Sequence, residues 1–186
     1  MNEPSGNGIN QEEIHKQLLE RKMLKGRPSR ARYNKVHATL ERKWRRRELK
    51  SDRMMREIVD ELWEQFAGSP YSWCGFYLWG PSGRELILGP HRDKPCCSPL
   101  SLDGVCGKVA QSGESMIVPD VKVLGGAYVE CDPSTVSEIV MPVFDHKGKI
   151  VGVFDVNSAE KDAFNDMDQR WLERILKSFQ EVGRPE

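Results

Sequence analysis

Across Gly68-Ser69-Pro70 the hydrophobic period of this chain changes from that of a helix to that of a strand. Before it, Met55, Ile58, Val59, Leu62, Trp63 and Phe66 recur at helical spacing, which predicts an amphipathic helix with a single apolar stripe. After it, WCGFYLW (73–79) follows a period of two and predicts a strand. Gly80-Pro81-Ser82-Gly83 predicts its turn, and Glu85–Leu88 the returning strand. A helix with one dry stripe must lay it on a neighbouring layer. The chain is thereby directed to an α+β fold, an antiparallel sheet flanked by helices.

The rest of the chain extends this pattern. A short helix is expected over Val105–Gln111 and a short strand over Ser115–Val118. Two longer strands are expected over Glu138–Phe144 and Lys149–Asn157, joined around Asp145-His146-Lys147-Gly148. A final helix over Asp166–Phe179 carries Trp171, Leu172, Ile175, Leu176 and Phe179, with Asn165 as its cap. Upstream, residues 1–8 are Gly/Pro/Asn-rich and expected to be disordered, residues 9–25 suit a short helix, and Asn34 is placed to cap a helix carrying Val36, Leu40 and Trp44. The division expected is a basic, partly helical or disordered extension over 1–50 and one domain over 51–182.

Net charge supports that division. The whole chain is formally neutral, but residues 1–50 carry 14 Lys/Arg against 6 Asp/Glu, and the remainder 14 against 22. This excludes a basic footprint for nucleic acid over the whole protein, although not a basic N-terminal arm. The run Lys43-Trp44-Arg45-Arg46-Arg47 reads as a solvated helix face before it reads as such an arm. No apolar run approaches the ~18 residues of a membrane span, and the first residues lack the order of a secretory signal. A cytoplasmic protein is expected.

Four of the five cysteines, Cys96, Cys97, Cys106 and Cys131, fall in or beside two long segments, 89–104 and 119–137, that read as loops. Long loops in a small domain are usually functional. An odd cysteine count without an export signal argues against a structural disulfide framework. The spacing of His91, Cys96, Cys97 and Cys106 does not support a zinc site. Trp73 and Tyr77 share one strand face and Cys74 takes the other, where it reads as core.

The strands after residue 137 carry the acids. Val151, Val153, Asp155 and Asn157 are expected on one strand face. With a four-residue hairpin loop, Phe144 would pair with Lys149 and Glu138 would fall opposite Asp155, about 5 Å away at Cβ. Like charges at that distance raise at least one pKa and create a proton donor near neutrality. A five-residue loop would send the two acids to opposite faces.

SWCGFYLW…LILGP, GVCG (104–107), ECD (130–132), SEIVMPV (137–143) and GVFDVNS (152–158), in that order, resemble a GAF domain. More narrowly they are similar to the free methionine-(R)-sulfoxide reductase branch, over about residues 55–180. The resemblance implies that Cys131 attacks the sulfoxide sulfur. It also implies that Cys106 and a loop cysteine, Cys97 or Cys96, resolve the product as disulfides, and that thioredoxin or a similar dithiol restores the enzyme. Total distance to Cys131 favours Cys97. Glu138, Asp155 and Trp73 would form the pocket for the free amino acid, with Tyr77 beside them.

Such chemistry needs a nucleophilic thiol, an acid at the departing oxygen and a second thiol to capture the sulfenic acid, with no metal or organic cofactor. Glu130 and Asp132 flank Cys131 and should raise its thiol pKa, so activation must come from elsewhere in the chain. Asn157 stands where the family usually has an acid, and Glu130 where it has a small residue. The alternative is a non-catalytic GAF sensor or a module dimerising through the helices around residues 36–66.

Overall fold

The computed structural model describes residues 30–45, 49–92, 94–127 and 131–182. The expectations for residues 1–25, for Arg46 and Arg47, and for Glu130 lie outside them. Two helices, α1 (Arg30–Trp44) and α2 (Ser51–Phe66), precede strands β1 (Trp73–Trp79) and β2 (Leu86–Arg92). Helix α3 (Val105–Ser112), the short strand β3 (Met116–Val118) and a kinked 3-10 segment (Val121–Ala127) follow. Strands β4 (Ser137–Phe144) and β5 (Ile150–Ser158) and helix α4 (Asp166–Val182) complete the chain. The strands form one antiparallel sheet in the order β2-β1-β5-β4-β3. The expected α+β architecture is present.

One sheet face packs on α1, α2 and α4. Ile58, Leu62 and Phe66 of α2, Phe76 of β1, Phe154 of β5 and Leu172 and Ile175 of α4 meet there, all essentially without solvent exposure. Each such side chain contributes roughly 1.5–3 kcal/mol of transfer free energy. Cys74 lies in this layer, as its position in the alternation requires. Helix α1 joins the same core through Tyr33, Val36, Leu40 and Trp44. The Trp44 indole N–H donates to Glu57 at 2.9 Å, and Lys43 pairs with Glu61 at 2.6 Å. Helix α4 begins with a reciprocal cap. Asn165 Oδ1 accepts from Met167 N at 2.8 Å, and Asp168 Oδ2 accepts from Asn165 N at 2.9 Å.

Two local expectations are corrected. Asn34 does not cap a helix, because α1 starts at Arg30 and Asn34 is an exposed residue inside it. Residues 89–92 are strand, not loop, and extend β2 to Arg92. Pro90 is tolerated because β2 is an edge strand, and the register slips by one residue between Gly75 and Tyr77 to accommodate it.

The third correction concerns register. Phe144 pairs with Ile150, so five residues rather than four connect β4 to β5. That change alone would separate Glu138 and Asp155 to opposite faces. A bulge cancels it: Val143 pairs with Gly152, leaving Val151 as an extra residue on β5. Beyond the bulge Glu138 pairs with Asn157 and Val140 with Asp155. Glu138 and Asp155 therefore share a face as diagonal neighbours rather than as a direct pair. Val151 packs with the opposite core layer, not with Val153 as the unbroken alternation had implied.

Past the bulge β5 runs close against β1, and a methyl at Gly152 would fall on the Tyr77 carbonyl oxygen. Gly152→Ala is expected to destabilise the domain by about 1–3 kcal/mol, read as a lower urea midpoint at unchanged slope.

Candidate active site

The second sheet face is covered by α3 and by the two cysteine-bearing segments, and between them lies a narrow cavity. Its lining combines Trp73 and Tyr77 of β1, Cys106 at the start of α3, Glu138 of β4 and Asp155 and Asn157 of β5. Cys96, Cys131 and Asp132 stand at its loop side. The arrangement follows from period two. Trp73 and Tyr77 point from β1 to the same side as Asp155 and Asn157, their partners across the ladder being Asn157 and Val153. Gly75 lies between the two aromatics, where a side chain would meet the Trp73 ring at 2.6 Å and His91 at 2.6 Å. The bare glycine lets the indole fold over β1 and stack beside His91, with centroids 6.2 Å apart.

From that position Trp73 reaches the first loop, its indole N–H donating to the Lys94 carbonyl at 2.8 Å. Leu88 N donates to Ser98 Oγ at 3.0 Å, so the loop is held on both sides of Pro95-Cys96-Cys97. Lys94 Nζ in turn meets Asp132 Oδ2 of the second loop at 3.0 Å. The Asp132 carboxylate also accepts from Ser134 N at 3.0 Å and Ser134 Oγ at 2.7 Å. These donors hold its pKa below the usual range despite burial. Between the anchored loops Cys97 and Cys131 form a disulfide, with Cα atoms 5.3 Å apart. Cys74, Cys96 and Cys106 are free thiols.

The cavity wall holds two further acids in an unusual state. Glu138 is 4% exposed and Asp155 6%. Burial raises both above the ordinary carboxylate range toward neutrality, and the nearby Asp155 charge raises Glu138 further. Hydrogen bonds from Asn157 Nδ2, at 3.2 Å, and from the Cys106 thiol restrain Asp155. Glu138 Oε1 and Asp155 Oδ1 are buried without a hydrogen-bond partner among the described residues. Burial, reinforced by Asp155 and Glu138, pushes the Cys106 thiol well up, so it stays protonated. A buried carboxyl pair whose titration is shifted up toward neutrality, beside a cystine, is an arrangement able to donate protons and exchange thiols.

Every site residue named from sequence other than Cys97 lines the cavity, and Cys97 is bonded to one that does. Sequence reasoning missed Lys94 and the function of Gly75. An ion pair between loops thirty-eight residues apart leaves no local pattern. A glycine two places after a strand tryptophan is a weak signal of close approach that could have been read.

Comparison with known proteins places these features in context. The family model described as GAF domain matches residues 48–179. The free methionine-R-sulfoxide reductase of Saccharomyces cerevisiae is 39% identical over 108 residues, 57% of this chain and 59% of that protein, so the match spans less than two thirds of the yeast protein's length. GAF domain-containing protein A of Dictyostelium discoideum is 36% identical over 124 residues, 66% of this chain and 75% of that protein. Among solved structures, the free methionine-R-sulfoxide reductase of Neisseria meningitidis in complex with its substrate superposes with a TM-score of 0.74 at 26% identity. That superposition covers 83% of this chain and 91% of the other.

Proposed function

The chain belongs to the GAF domain family, and from that premise we propose that it reduces free L-methionine-(R)-sulfoxide at the expense of a dithiol. The observation that carries the reading is the cystine at the mouth of a cavity walled by two raised-pKa carboxyls with unpartnered oxygens. A buried polar atom without a partner is costly unless a ligand supplies one. A sulfoxide oxygen that accepts from a protonated acid, and an ammonium group, are both suitable.

In the reaction proposed, Cys131 attacks the sulfoxide sulfur. Glu138 and Asp155 protonate the sulfoxide oxygen, the S–O bond to the methionine sulfur breaks as that oxygen passes to Cys131 Sγ, methionine leaves, and Cys131 is left as the sulfenic acid. The thiol of Cys97, or of Cys106, then displaces water to form the disulfide. Two thiols of a thioredoxin-like reductant, as available in the cytoplasm, reopen it. Trp73 and Tyr77 form the apolar wall for the methyl-sulfinyl end, and Asn157 orients Asp155. All of these residues fall within 51–182, the segment assigned to the catalytic domain. Of the extension expected over 1–50, helix α1 packs into the same core through Tyr33, Val36, Leu40 and Trp44, so its apolar stripe is already covered and is not the face of a homodimer. Among the described residues no helix is long and apolar enough to cross a membrane.

Purified full-length chain with dithiothreitol should form one methionine per disulfide turned over, and should prefer the free (R) over the free (S) epimer by about a hundredfold or more. Absence of methionine from either epimer would sink the reading. Binding without turnover would instead favour the alternative, a non-catalytic GAF sensor, which Asn157 in place of a usual acid and Glu130 in place of a small residue support.

A further inference from the structure

One nucleophile at the site is unused by the reaction above. Cys96 is a free, part-exposed thiol that lines the same cavity as Cys131, whereas its neighbour Cys97 carries the bond to Cys131. Cys96 faces the cavity beside the Tyr77 hydroxyl, and Cys97 faces the second loop. The segment that holds both is short and fixed at its flanks, at Lys94 by Trp73 and at Ser98 by Leu88. Lys94 also binds Asp132, the residue next to Cys131. Cys96 and Cys131 thus line one cavity while Cys97, the next residue in the chain, carries the bond to Cys131.

We propose that Cys96 and Cys97 form a two-position thiol relay, in which Cys96 Sγ displaces Cys97 Sγ from Cys131 and shifts the disulfide from Cys97–Cys131 to Cys96–Cys131. The exchange balances internally. Cys96 gives up its proton and forms a bond to Cys131 Sγ, the Cys97–Cys131 bond breaks, and Cys97 leaves as a thiolate that takes up a proton. No oxidant or reductant is consumed. The consequence is that the oxidised protein carries its disulfide in two isomers, each presenting a different pair of bonded sulfurs to an incoming dithiol. The inference adds a redox residue to the proposed reduction and rests on that reading for its purpose, but the exchange itself is independent of the substrate.

It is therefore tested without methionine sulfoxide. The full-length chain and its Cys97→Ser and Cys96→Ser variants are fully reduced, then oxidised with diamide. Free thiols are alkylated, and the bonded pairs are located by fragmentation between positions 96 and 97. Wild type is expected to give both Cys96–Cys131 and Cys97–Cys131, and each single variant the remaining bond at a rate within about tenfold of the other. Circular dichroism verifies that the variants are folded. If folded Cys97→Ser leaves Cys131 reduced, or joins it to Cys106, while Cys96→Ser forms Cys97–Cys131 readily, the relay is overturned. Methionine formation by wild type is measured separately. Its absence would count against the proposed activity and leave the disulfide result standing.

Discussion

Cys131→Ser is expected to lose formation of methionine from the free (R)-sulfoxide by roughly a thousandfold or more while keeping its fold. The loss is this large because the residue supplies the bond-making atom. A serine hydroxyl is a far weaker nucleophile toward sulfur, and it cannot become the sulfenic acid that Cys97 or Cys106 would capture. Cys131 is part-exposed in a segment without regular structure, so the replacement removes little packing. The variant should also fail to close the cystine, leaving Cys97 titratable together with Cys74, Cys96 and Cys106. Dithiothreitol-coupled methionine formation, read beside a thiol titration and circular dichroism, measures all three effects. Turnover equal to wild type would remove Cys131 from the mechanism.

Asp155→Asn should move activity and stability in opposite directions. Burial raises the Asp155 and Glu138 pKa values above their unfolded values of about 4. The folded chain thus binds these protons more tightly than the unfolded chain. The stability this contributes is complete below about pH 4 and is lost as pH rises through the folded titration toward and beyond neutrality. At pH 8 the wild type must bury charge that the amide avoids. Each unit of pKa difference is worth about 1.4 kcal/mol, and a domain of this size moves about 2–4 °C per kcal/mol. Asp155→Asn should therefore melt on the order of 5 °C higher than wild type at pH 8, with the gap closing toward pH 5. Methionine formation should fall about 10²–10⁴-fold, as for loss of a general acid. Thermal melts of both proteins across that range provide the check, and parallel pH profiles would remove the carboxyl pair from its assigned state.

Much of the architecture was legible because each layer repeats with its own period. Met55 to Phe66 and Trp171 to Phe179 mark helices that are dry on one side, and Trp73, Cys74 and Tyr77 sort correctly to the two sheet faces. The cysteine loops stood out by their length and composition, and of the two loop cysteines that the resemblance offered, Cys97, favoured by its distance to Cys131, is the one bonded to it. What escaped was set by contacts between distant segments. Strand β2 runs through Gly89-Pro90 because its outer edge needs no donor. Helix α1 begins four residues before Asn34 and is held by burial of Tyr33, whose ring lies tilted against that of Phe66 with centroids 4.6 Å apart and whose hydroxyl meets that of Tyr71 at 2.9 Å. Lys94 and Asp132 are unremarkable locally and become a pair only when two loops converge. The exact opposition of Glu138 failed because neither the extra loop residue nor the extra strand residue has a strong signature.

Those two extra residues have an evolutionary consequence. One lies in the β4–β5 connection and the other is Val151, and each alone would turn Asp155 and Asn157 into the layer occupied by Phe154 and Val156. Together they leave the polar side of the strand where it was. Length change in this hairpin is therefore constrained by parity rather than by amount. A single insertion or deletion inverts the chemistry, whereas a second, compensating one restores it. Relatives that gain or lose residues here while retaining the acids should do so in even steps.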